Sequence, residues 1–151
     1  MLLKRKGDQN MIIQLSIFVP NRPGELFKIT EMLAANNIQI RALTVAETAD
    51  FGIFRMIVSD PEKCFKILSD HKILVGKTEV IAVEMEDKPG GLNKIAKLLG
   101  DGGINIEYLY GFASKKAVLV VQVSRDQAPK AVEILTNAKI TQFKPEEIYN
   151  L

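Results

Sequence analysis

NRPGELFKITEMLAANNIQIRALTV, residues 21–45, returns at residues 87–110 as DKPGGLNKIAKLLGDGGINIEYLY. The offset is 66 positions, and it runs without a gap from residues 14–60 to residues 80–126. Ten of those 47 pairs are identical, among them Pro23/Pro89, Gly24/Gly90, Ile29/Ile95, Leu33/Leu99, Ile38/Ile104 and Asp60/Asp126. A repeat of this length means two copies of one folding unit in a single chain. Its shared signature is a polar-Pro-Gly turn ahead of an amphipathic helix, which also marks where a ligand could sit.

Outward from that turn, each copy reads the same way. Ile13, Leu15, Ile17 and Val19 alternate ahead of the first turn, as Ile81, Val83 and Met85 do ahead of the second, the period of a strand with one buried face. Behind the turn, Leu26, Ile29 and Leu33 fall at i, i+3 and i+7, and Leu92, Ile95 and Leu99 repeat the stripe of a core-facing helix. Asn36-Asn37 and Gly102-Gly103 suit left-handed C-terminal caps. A second strand starts near Ile38 or Ile104, and a hairpin turn lies near Ala49-Asp50 or Lys115-Lys116. The third strands, residues 53–58 and 117–123, are almost unbroken apolar runs suited to a central place in a sheet.

Asp60-Pro61-Glu62 starts the next helix with a capping carboxylate and a proline whose missing N–H does no harm; Asp126 marks its counterpart. Cys64, Phe65, Ile67 and Leu68 face inward from one, and Ala131, Val132, Ile134 and Leu135 from the other. Short fourth strands are expected near residues 73–75 and 140–143, with residues 72–79 as the link. The order is βαββαβ twice, an α+β protein of two ferredoxin-like units, each a four-stranded antiparallel sheet with two helices on one face. The expected division is a basic, flexible extension over 1–11, a first domain over 12–76 and a second over 77–151.

The composition narrows the function classes. Of 151 residues, 47% are hydrophobic and 25% charged, an ordinary soluble profile. No apolar run reaches the ~20 residues of a membrane helix. Met1-Leu2-Leu3 runs straight into Lys4-Arg5-Lys6 instead of a secretory signal. One cysteine, Cys64, cannot close an internal disulfide, so a reducing cytoplasm is expected. The net charge of +2 is carried by Lys4, Arg5 and Lys6 against Asp8, which leaves the body of the chain neutral. A nucleic-acid binder would spread its basic excess over the folded face.

Amino-terminal helix ends present unpaired N–H groups and a partial positive charge of roughly half a unit, and so attract carboxylates. Gly24 and Gly90 put no side chain in the way, and Pro23 and Pro89 suit the first helical turn. Asn21 or Asp87 offers an oxygen that can cap the helix or accept from an ammonium. An amino acid carries both charges that such a turn would bind.

With these elements in place, the strand–[DN]-x-P-G-x-L–helix–N-I–strand pattern of both copies resembles the start of ACT domains, small regulatory modules that bind amino acids. The likeness covers roughly residues 12–145. It implies units paired along sheet edges, with effector pockets between the Pro-Gly turn of one unit and strand elements of another. Carried over by position, the binding loops are Asn21, Arg22, Pro23, Gly24, Glu25 and Leu26 in one copy. In the other they are Asp87, Lys88, Pro89, Gly90, Gly91 and Leu92, and Phe51 is a candidate pocket wall. Gly91 replaces Glu25, so the two pockets need not share a ligand. The resemblance implies a non-catalytic regulatory protein with a small amino-acid effector, acting as a homodimer with a metabolic enzyme or regulator as further partner. The regulatory subunit of acetolactate synthase begins with a similar unit, but its later half should lack the second Pro-Gly turn.

Other readings are poorer. Asp50-Phe51-Gly52 spells the metal-binding triplet of kinases with none of its companion motifs. Phe51-Gly52-Ile53-Phe54 echoes the aromatic strand of RNA-recognition modules, without their basic surround. His71 and Cys64 stand seven residues apart, about 10 Å along a helix, which is too far for a nucleophile–base pair. One cysteine and one histidine supply no zinc spacing, so neither metal nor cofactor nor catalytic residue is expected. Glu84 and Glu86 sit on the solvent side of an alternating strand, as solvated charge. Tyr108, Tyr110 and Phe112 share one face of a strand where the first copy has Ala42, Thr44 and Ala46, a stripe expected to pack rather than bind.

Overall fold

The computed structural model describes residues 10–151. Of the basic extension expected over 1–11, residues 1–9 lie outside the described residues, and Met11 already opens a strand. The elements in chain order are β1 (Met11–Pro20), α1 (Glu25–Ala35), β2 (Ile40–Glu47), β3 (Phe51–Val58), α2 (Pro61–Asp70) and β4 (Leu74–Glu84). They continue with α3 (Gly91–Asp101), β5 (Ile106–Ala113), β6 (Ala117–Val123), α4 (Ala128–Asn137) and α5 (Pro145–Tyr149). Two compact units result. The first copy comprises Ile13–Thr78 with Ile148–Leu151, and the second comprises Glu79–Glu147 with Met11 and Ile12.

Within the first copy the strand order is β2-β3-β1-β4. The apolar run of β3 lies between β2 and β1, antiparallel to both, so both of its edges are bonded. Alternate residues Leu15, Ile17 and Val19 of β1 and Phe54, Met56 and Val58 of β3 form one wall of the core. Ile29 and Leu33 of α1 with Cys64 and Leu68 of α2 close it, as the i, i+4 spacing demands. Leu33 is 1% exposed, and burying a side chain of that size contributes about 1.5–3 kcal/mol. The helix α1 ends as Asn37 turns left-handed (φ 56°) and the Ile38 N–H donates to the Leu33 oxygen at 2.9 Å. That six-to-one bond is a Schellman closure, repeated by Gly103 and by Ile104 N–H to the Leu99 oxygen. The second copy orders its strands β4-β6-β5 and packs Ile81, Val83, Leu119 and Val121 against Ile95, Leu99, Ala131 and Leu135.

Four expectations are corrected. Residues 72–79 are not a separate link, because from Leu74 onward they belong to β4, which runs unbroken to Glu84 with Val80–Val83 buried on both faces. The strand expected at residues 140–143 is reduced to one bridge, Val83 with Gln142; the chain turns into α5 at Pro145 before a longer ladder can form. The gapless offset breaks at the hairpins. Thr48 N–H bonds to the Phe51 oxygen in the first, but Ser114 N–H bonds to the Lys116 oxygen in the second, one residue sooner. Leu43 accordingly faces Met56, whereas Leu109 faces Val121 and not Gln122. The identical pair Asp60/Asp126 is therefore not a structural pair. Asp60 caps α2 by accepting from the Lys63 N–H at 3.0 Å, whereas α4 is capped by Gln127 with no side-chain bond.

Candidate functional site

The first turn starts where β1 stops. Arg22 N–H donates to the Pro20 oxygen at 2.9 Å, which folds the chain back, and Gly24 takes φ 88° and ψ −9°. Only glycine adopts that left-handed geometry without steric penalty. Because Gly24 is the N-cap, α1 begins at Glu25, and Pro23 stands ahead of the cap instead of in the first helical turn as expected. No side chain caps this helix, so its leading amides stay available to an incoming acceptor. Asn21 does not cap it either: its Nδ2 points to the Glu47 carboxylate (3.5 Å) and the Thr48 oxygen (3.4 Å).

Glu25, at the first helical position, is 8% exposed. Its carboxylate accepts from Arg22 Nε at 2.5 Å, and Lys28 Nζ lies 3.5 Å away. The Arg22 hydrogen bond holds this carboxyl below the usual carboxylate range, against an upward push from burial and with further help from Lys28. Glu25 thus fixes Arg22 by its Nε at the edge of the turn.

Beside the turn is a cavity of about 390 Å³, bordered by Asn21, Arg22, Gly24, Glu25 and Leu26 from the turn and α1. Val19 and Pro20 of β1, Val45, Ala46 and Glu47 of β2, and Gly52 and Phe54 of β3 complete it. The sheet register explains this wall, since Val19 and Glu47 both pair with Gly52 in one row across three strands. The sequence did not mark these strand residues as part of a site. Their only signal was the hairpin between β2 and β3, whose pairing with β1 is long-range. Pro23 and Phe51 do not border the cavity; Phe51 pairs with Pro20 at the sheet end and stays 56% exposed.

The second turn has the same backbone, with Gly90 at φ 89° and ψ −9° and Lys88 N–H donating to the Glu86 oxygen at 2.9 Å. Its surroundings differ. The Gly91 N–H is taken by the Lys88 oxygen at 3.0 Å, and a Cβ added at Gly91 would lie 2.0 Å from the Glu86 oxygen. Glu86 binds Lys88 directly and Lys94 at 3.4 Å. Those bonds, with Lys88 first, hold the Glu86 carboxyl below its usual range and raise the Lys88 ammonium. Asp87 makes no capping bond to α3, and Leu92 is exposed on its surface.

Cys64 is fully buried, and burial together with Asp60 pushes its thiol up to about 11. His71 caps the far end of α2 with Nδ1 2.8 Å from the Ile67 oxygen. Glu84 is paired to Lys116 at 2.8 Å. Phe54 is turned into the core at 5% exposure and cannot stack on a base. Among the described residues no group of three or more His, Cys, Asp or Glu could hold a metal ion. No helix of the described residues is long and apolar enough to cross a membrane.

The fold agrees with what comparison finds. Residues 10–151 match the family described as ACT domain pair. Among curated proteins none matches the chain. The crystal structure of protein BT0572 from Bacteroides thetaiotaomicron is similar with a TM-score of 0.87 at 40% identity, over 94% of this chain and 98% of that one. The ligand-free regulatory subunit of aspartate kinase from Thermus thermophilus shares the fold with a TM-score of 0.62 at 16% identity, over 87% of this chain and 95% of that one. The corresponding subunit from Thermus flavus does so with a TM-score of 0.58 at 15% identity, over 83% and 91%.

Proposed function

The chain belongs to the ACT domain pair family, and from that membership we propose that it is a non-catalytic, cytoplasmic regulatory protein that binds a small amino acid at the first Pro-Gly turn. The observation that carries this reading is the cavity itself. An uncapped helix start, a fixed guanidinium and the exposed Glu47 carboxylate, reached by Asn21 Nδ2 at 3.5 Å, converge on about 390 Å³ of space lined also by Val19, Val45 and Phe54. The effector carboxylate docks on the amides that follow Gly24, near Arg22. Its ammonium is taken by the Asn21 side-chain oxygen and by Glu47, and its side chain lies against Val19, Val45 and Phe54. Asn21, Arg22, Gly24, Glu25 and Leu26 thus border the proposed site, with β1, β2 and β3 supplying its far wall.

Regulation follows from linkage. A ligand bound only by the folded, closed form stabilises it by RT ln(1 + [L]/Kd), about 2.7 kcal/mol at a hundredfold excess. Any partner enzyme or second copy that prefers the closed form then reads the effector concentration as a change in its own affinity. The rival reading, a regulatory subunit of the acetolactate synthase type, is disfavoured because the second turn reproduces the first to within a degree in φ.

Thermal unfolding of the purified chain with each of the twenty amino acids in excess tests the proposal. At least one should raise Tm by roughly 5–10 °C at a hundredfold excess over Kd. A folded protein indifferent to all twenty refutes it.

A further inference from the structure

Building on the amino-acid-binding reading, we infer that only the first copy binds: one effector per chain, with the second turn a structural duplicate. The backbone does not separate the two turns, since Gly24 and Gly90 share φ and ψ to within a degree. What separates them is the set of side chains around the turn. In the first copy Glu25 holds Arg22 through Nε at 2.5 Å, which presents a planar guanidinium in a fixed orientation. In the second copy, position 91 is glycine, and the Glu86 oxygen 2.0 Å from its ideal Cβ leaves no room for any other residue. Lys88, the counterpart of Arg22, is drawn instead to Glu86, which also binds Lys94 at 3.4 Å. Both cations are thus paired within their own turns, but Arg22 is gripped by a nearly buried acid at the helix start, whereas Lys88 is gripped by an exposed acid ahead of the turn.

The facing strands differ in the same direction. Val45, Ala46 and Glu47 of β2 border the first cavity. At the matching positions β5 carries Gly111, Phe112 and Ala113. Val45 gives way to a glycine, a half-buried phenylalanine stands in the place of the Ala46 methyl group, and alanine replaces Glu47, so the strand offers no acid there. With a phenylalanine in the facing strand and no acid there, the second turn, even with Asp87 beside it, lacks the room and the paired contacts that offset the hydration of a zwitterion. The copies therefore divide the work: both build the pair, and one senses.

The test uses the full chain and the amino acid that gives the largest thermal shift. Isothermal titration should give one site per chain. Ala46→Phe, which imports the second copy's residue, should weaken binding at least tenfold, and Phe112→Ala should leave affinity and stoichiometry unchanged. If Ala46→Phe does not fold, Glu47→Ala makes the same exchange at an exposed position, with the same tenfold loss expected. Two sites per chain, or a loss of binding in Phe112→Ala equal to that in Ala46→Phe, would overturn this asymmetry while leaving the amino-acid reading intact. Absence of any thermal shift in the wild-type chain would remove both together.

Discussion

Gly24 and Gly91 are both glycines of the repeated turn, yet different forces keep them so. Gly24 has open space around it and a left-handed backbone, so Gly24→Ala meets only conformational strain, about 1–2 kcal/mol. Gly91 meets a backbone oxygen that cannot rotate away. Gly91→Ala should therefore destabilise more, by roughly 3 kcal/mol, an overpacking cost at its upper end. Denaturant midpoints of the two variants decide this, and an equal or smaller loss at Gly91 would contradict the geometry. The sequence marked both glycines as special, but only coordinates separate a φ requirement from a clash. Glu25 was legible as a loop position and not as an ion-paired, nearly buried acid. Because its folded carboxyl is held low, its stabilisation is complete above the ordinary carboxylate range and disappears as pH falls through the lower folded value. The Tm gap between wild type and Glu25→Gln should accordingly close on acidification; a gap independent of pH would show that the Arg22 pairing contributes nothing.

Among the elements, helix starts show how far local chemistry carries. Asp60-Pro61 announces α2 because capping is a contact between residues three apart, and the Lys63 N–H bond at 3.0 Å is the expected result. Asp60→Ala should cost about 1 kcal/mol, and Asp126→Ala less, since Asp126 is not the N-cap of α4. Thermal midpoints of the two variants test the contrast. The same identity at Asp60 and Asp126 misled the alignment, because the shorter hairpin moves the strands one residue one way and the helix N-caps, Asp60 and Gln127, stand one residue off the other way, so a simple offset fits neither. Hydrophobic periodicity survives such slips, since β6 still places Leu119, Val121 and Val123 in the core. Exact equivalence does not survive them.

For the chain as a whole, the ends are used in a way no periodic pattern announces. Ile148 is fully buried, and the Tyr149 hydroxyl accepts from the Ile13 N–H at 2.7 Å while Arg41 Nε donates to the Tyr149 oxygen at 2.9 Å. Burial raises the Tyr149 phenol, which the Ile13 bond partly offsets. Residues 148–151 thus complete the first copy across more than a hundred positions of sequence. Tyr149→Phe leaves the Ile13 donor without its partner and should cost about 1–3 kcal/mol. Hydrogen exchange at Ile13 should accelerate in that variant, and unchanged protection there would show that the bond is dispensable.

The duplicated unit, the order of its helices and main strands, most of their inward faces (Leu26 and Leu92, expected inward, are exposed) and the Pro-Gly turn followed from the amino-acid sequence alone. Each depends on residues within one turn or one strand of each other, where propensity, periodicity and capping act locally. The wall that faces the turn, the internal pairing of Glu86, the loss of the second copy's fourth strand and the return of residues 148–151 depended on folding. They are set by register and packing between segments distant in sequence, where a one-residue slip changes which side chain stands opposite the turn.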